Sequence, residues 1–133
     1  MKSTILKISL LFLFFSLLGA GCEKDNHYFP DPDPSKAILG KWKVIQMGSE
    51  PIENSLEYKE FLQDSILREY DEKGKLSFTK KYWIDSLLHI GISREDGFLL
   101  TFEYEYQFHE DKLTLEYYNF IATYNTFIYK RIK

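Results

Sequence analysis

From residue 37 onward, apolar and polar side chains alternate in short runs. Residues 98–109 are the clearest case: Phe98, Leu100, Phe102, Tyr104, Tyr106 and Phe108 share one parity, while Thr101, Glu103, Glu105 and Gln107 share the other. Successive side chains of an extended chain point to opposite sides, so this period of two describes a strand buried on one face. His109-Glu110-Asp111 then turns the chain, and Leu113, Leu115 and Tyr117 alternate with Thr114, Glu116 and Tyr118. The two runs form a hairpin on this reading.

The same rule places strands at 41–48, 56–62, 65–71, 76–84, 86–92, 98–109, 112–121 and 124–132. Their connectors hold Gln63-Asp64, Asp71-Glu72-Lys73-Gly74, Asp85-Ser86, Arg94-Glu95-Asp96-Gly97 and Asn119, polar residues or residues that tolerate a left-handed backbone. Consecutive short strands of this kind predict an all-β domain, a small antiparallel up-and-down β-barrel of about eight strands. One stretch reads two ways. Asn54-x-x-Glu57 has the form of a helix cap, with Tyr58, Phe61, Leu62 and Ile66 as the apolar face of the helix that would follow. Strands are the preferred reading there; a helix would leave six or seven strands in the barrel.

The first 36 residues follow another pattern. Lys2 and Lys7 stand in a start without acids, residues 8–18 are almost wholly Leu, Phe and Ile, and Gly19-Ala20-Gly21 leads to Cys22, the one cysteine of the chain. A charged start, an apolar stretch and a small-residue step make up a secretory signal. The stretch falls short of the roughly 20 apolar residues that a membrane span needs. Residues 23–36 contain three of the four prolines, and fourteen such residues reach about 40 Å at roughly 3.1 Å each in extended form. The chain therefore divides into a signal peptide at 1–21, a Pro- and acid-rich tether headed by Cys22 at 22–36, and a barrel domain at 37–133.

Leu17-Leu18-Gly19-Ala20-Gly21-Cys22 resembles the processing site of bacterial lipoproteins. The resemblance implies cleavage before Cys22, a diacylglyceryl thioether and an N-acyl group on that residue, and firm retention, since each buried CH₂ adds about 0.8 kcal/mol. Glu23 rather than Asp follows the cysteine, which by the same resemblance implies the outer membrane. Glu23-Lys24-Asp25 is similar to surface-export signals, so the periplasmic face and the cell surface both stay open.

The opening of the first predicted strand, Leu39-Gly40-Lys41-Trp42-Lys43-Val44, together with the terminal Tyr129-Lys130-Arg131-Ile132-Lys133, resembles the lipocalin superfamily, and within it the small lipocalin-like domains on lipoproteins of Gram-negative bacteria. The resemblance implies that Trp42 closes the barrel floor and that Arg131 covers its ring. An arginine over an indole face contributes about 0.5–2 kcal/mol.

Inward parity also gathers Val44, Phe102 and Leu115 with Tyr104, Tyr106, Phe108, Tyr117, Phe127 and Tyr129, the last six being the candidate ligand contacts. An eight-stranded barrel has space for side chains or for one small ligand. So many rings in a short barrel favour a filled core, whereas a buried phenol that lacks a protein partner favours a ligand. The interior volume decides between them.

Charge and composition narrow the functional classes. Lys2 and Lys7 fall in the signal, so 15 of the 17 basic residues face all 20 acids in the mature chain, a net of −5. Nucleic acid demands a basic stripe and is not an expected partner. With one cysteine, no disulfide staples the domain. Nucleophilic catalysis needs an oriented base beside Ser or Cys, but His27 lies in the tether, His109 in a turn, and His89 reads as a packed core histidine. Glu103 and Glu105 read as a solvated face, and His109-Glu110-Asp111 lacks a second His or Cys at ligand spacing. Gly91 and Gly97 belong to no phosphate loop. No catalytic residue, metal or cofactor is expected.

Two functions remain as expectations. The first is a lipid-anchored envelope protein whose barrel binds a small apolar ligand without catalysis. The second is a filled-barrel interaction or accessory protein, an inhibitor or envelope-complex subunit, working through exposed aromatics such as Tyr118, Tyr82 and Trp83.

Overall fold

Alternation of the kind seen in residues 98–109 needs a surface to cover its apolar face, and in the computed structural model, which describes residues 29–133, the sheet provides it by curling round on itself. The expected signal peptide and Cys22 lie outside the described residues. The strands are β1 (Gly40–Met47), β2 (Glu50–Pro51), β3 (Tyr58–Phe61), β4 (Ile66–Tyr70), β5 (Leu76–Ile84), β6 (Leu88–Ser93), β7 (Leu99–His109), β8 (Lys112–Tyr117) and β9 (Thr126–Ile132). From β3 to β9 each pairs antiparallel with the next; β1 pairs with β3 on one side and β9 on the other. The result is a closed up-and-down barrel of eight strands, with β2 a two-residue return against the end of β1.

Most predicted strands are present with trimmed ends. The ambiguous stretch is strand: Asn54 adopts φ 61° in the loop before β3 and caps no helix. The predicted run at 112–121 stops at Tyr117, where residues 118–125 form a loop. One element was not expected. The end of the predicted extended tether folds into a single helical turn, α1 (Pro34–Ala37). Asp33 caps it through its side chain on the Ser35 N–H, and Pro34 supplies a preset φ at the first helical position, where no N–H is needed.

Strand register fixes what faces inward. Trp42 pairs with Lys59 and Arg131, Phe61 with Leu67, Leu67 with Lys80, Tyr82 with Ile90, Leu88 with Tyr104, and Leu115 with Phe127. Between Val44 and Gln46 the β1–β9 ladder shifts by one residue, a bulge that changes the parity of the end of β1.

The two ends of the barrel differ. At the closed end Ile38, Trp42, Phe61, Leu67, Leu88 and Leu113 are buried, and α1 lies across them with Ala37 buried as well. The other end is ringed by exposed apolar side chains: Leu56, Leu76, Phe78, Phe98, Leu100, Phe120 and Ile121. The described chain enters at the closed end, opposite this mouth.

Two expectations about individual side chains are corrected. Tyr82 is not an exposed outer aromatic. Neighbours in a strand point to opposite sides, and with Trp83 outside, Tyr82 turns inward, is 5% exposed, and donates its hydroxyl to the Leu62 carbonyl at 2.5 Å. His89 is not a core histidine either. It pairs with Trp83 and Glu103 on the outer wall, stacks on the Trp83 ring at 4.8 Å, and holds Asp85 at 2.9 Å through Nε2.

Candidate functional site

The closed end is built around Trp42. Its Nε1–H donates to the Ile38 carbonyl at 2.7 Å, which ties the indole to the segment between α1 and β1. The Arg131 guanidinium covers the ring, with Cζ 4.3 Å from the centroid, and donates from Nη1 to the Leu39 carbonyl at 2.6 Å and from Nη2 to the Ala37 carbonyl at 2.5 Å. A planar fork can serve two carbonyls and an aromatic face together; a lysine ammonium cannot. Gly40 makes the approach possible, because a Cβ there would lie 2.7 Å from Arg131 Nη1 and its φ is +116°. Phe108 packs beside Trp42 at 6.2 Å, and Tyr106 packs on Phe108 and donates its hydroxyl to the Asp85 carbonyl at 2.5 Å. These two candidate ligand contacts are part of the closed end.

Above this plug the interior is hollow. One lobe of about 200 Å³ is lined by Lys59, Lys80, Ile90, Ile92, Phe102, Tyr104, Leu115, Tyr117, Phe127 and Tyr129. A second lobe of about 180 Å³ runs between β1, β3 and β4, past Met47, Tyr58 and Tyr70, and shares Lys59, Phe127 and Tyr129 with the first. The other four candidate contacts, Tyr104, Tyr117, Phe127 and Tyr129, thus form one wall of the chamber. Tyr117 links them, stacking on Tyr104 at 4.7 Å and meeting Phe127 edge-on at 5.7 Å. A cleft of about 340 Å³ beside α1, lined by Ser35, Lys36, Leu39 and Gln63 among others, shares no lining residue with either lobe.

The opposite wall carries three charged residues that the sequence reading passed over. Lys59, Glu69 and Lys80 share the inward parity of Phe61, Leu67 and Tyr82, and that parity was their signal. Glu69 Oε1 lies 2.5 Å from Lys80 Nζ and 3.9 Å from Lys59 Nζ, and the Lys59 ammonium also sits 5.6 Å from the centre of the Tyr129 ring. Burial alone would pull Lys59 down, but the facing Tyr129 and Glu69 outweigh it and hold the ammonium above the ordinary lysine range. Burial, with a hydrogen bond to Tyr117, pushes the Tyr104 phenol far up. Tyr104 therefore keeps its proton and Lys59 its charge at neutral pH, and the chamber sets phenols against lysine side chains, groups suited to binding and orienting a polar group.

Among the described residues no three His, Cys, Asp or Glu side chains gather where they would hold a metal ion. No protein-family model matches the chain, and no curated protein matches it.

Proposed function

We propose that this protein is a lipid-anchored binding protein of the bacterial cell envelope, similar to the lipocalins in design, that holds a small molecule within its barrel. The observation that carries this reading is the hollow upper half of the barrel, two lobes that share Lys59, Phe127 and Tyr129 between an aromatic wall and a charged one. A barrel used only as a scaffold would bury its inward lysines less expensively by replacing them with leucines. The chain enters at the closed end, so an acyl group on Cys22 at the outer membrane would hold the protein by the end opposite its mouth.

Native mass spectrometry of the protein released from its own membrane tests the proposal. The expected spectrum contains a one-to-one adduct with a small molecule that dissociates on activation. Bare lipidated chain alone, with no adduct when candidate amphiphiles are titrated in, would refute it. The exposed apolar ring at the mouth favours a second reading, in which Phe98, Phe120 and Ile121 dock a protein partner.

A further inference from the structure

The inner wall is unbalanced in charge. Two ammonium groups, Lys59 and Lys80, line the chamber against a single carboxylate on the same wall, and one oxygen of Glu69 faces both of them. The next carboxylate, Glu57, stands exposed at the lip of the second lobe. Lysine is seldom placed on an inner face unless it is paired, because stripping water from an ammonium is costly. Here two lysines sit on neighbouring parts of one inner face, and Lys80 lies across the ladder from wholly buried Leu67.

The surroundings of this excess charge are also specific. Tyr104, Tyr117 and Tyr129 bring phenolic hydroxyls to the same lobe, and phenols donate well to an anion. Toward the mouth the lobe becomes apolar, with Ile92, Phe102 and Phe127, and beyond it the exposed rim of Phe78, Leu100 and Phe120. Positive charge and donors deep within, apolar surface outward, is the complement of a molecule with one polar and one apolar end.

Resting on the reading of the barrel as a small-molecule binder, we infer that its ligand is an amphiphile with a single anionic head group, seated between Lys59 and Lys80, whose apolar part runs past Phe102 and Phe127 to the mouth. A neutral or cationic head would leave one ammonium uncompensated and phenol donors unused.

The test uses the full chain in lipid nanodiscs, titrated calorimetrically with octanoate, octanol and octylammonium against empty discs. Octanoate is expected to bind at least about tenfold more tightly than octanol, as a charge-assisted hydrogen bond in a sheltered site provides, and octylammonium more weakly than either. Lys59→Met should cost octanoate about tenfold and leave octanol unchanged, while Lys59→Arg should retain the preference. Octanol binding by Lys59→Met reports that the barrel is intact. If that variant is unfolded, Lys80→Met carries the same comparison. Equal binding of octanoate and octanol, or a preference that survives both methionine variants, overturns the anionic head group and leaves a small-molecule binder standing. If none of the three binds, this inference and the binding function fall together.

Discussion

Arg131 and Trp42 face each other across the β1–β9 ladder, and the guanidinium carbon of one lies 4.3 Å from the ring centre of the other. The contact joins the last strand to the first and, through the carbonyls of Ala37 and Leu39, to the turn that seals the barrel. Replacing Arg131 by Leu removes two charge-assisted hydrogen bonds and a cation–π contact, and it is expected to cost about 2–4 kcal/mol. Arg131→Lys should recover less than half of that loss, since an ammonium lacks the fork. Urea unfolding followed by circular dichroism measures both. A loss under about 0.5 kcal/mol for the leucine variant, the range of an ordinary surface change, would show that the contact seals nothing.

Gly40→Ala is expected to be as harmful as a core truncation although it adds one methyl group. The new Cβ would meet Arg131 Nη1 at 2.7 Å, on a backbone whose φ of +116° L side chains rarely adopt. The expected loss is about 2 kcal/mol or more. Part of it should vanish when Arg131 is already leucine. Strict additivity in that double-mutant cycle would assign the whole cost to the backbone and none to the guanidinium.

Alkaline pH should weaken the fold. Burial holds the phenols of Tyr82, Tyr104 and Tyr106 above the ordinary 10.0, and Lys59 also lies above its ordinary value. A group whose folded pKa is raised contributes stability that is complete below the unfolded value and is lost as pH climbs through the folded one. The contribution is thus intact at neutral pH and declines from about pH 10 upward. Urea midpoints taken through that range, with phenolate absorbance on the same samples, provide the check. Ionisation of all ten tyrosines as free phenols while the barrel stays folded would contradict it.

Cys22→Ser should abolish palmitate incorporation in growing cells and move the protein from the membrane fraction to the soluble one. A wild type that takes up no palmitate and fractionates like the variant would remove the anchor from the proposal.

The legibility of this chain follows from how each strand is buried. Residues 100–108 alternate without interruption, so β7 and its hairpin with β8 could be read directly. Gly40, Trp42 and Arg131 were legible through family resemblance, and the structure places them together in the same floor. The charged wall was not. Lys59 lies where a helix cap and a strand start compete, and Glu69 and Lys80 look like solvated positions until strand register turns them inward. α1 was missed because its proline-rich sequence reads as extended, and only Asp33 ahead of Pro34 marks the start of a turn.

Closure between β1 and β9 gives the chain an order of events. The carbonyls held by Arg131 lie 92 and 94 residues before it, so the loop that must close spans nearly the whole domain. Long-range pairing of this kind is slow, and until β9 has formed, the sheet has two bare edges at β1 and β8 open to any other strand nearby. A chain cut before Thr126 would keep those edges permanently. For this protein the seven residues of β9 are those that turn an aggregation-prone ribbon into a closed barrel.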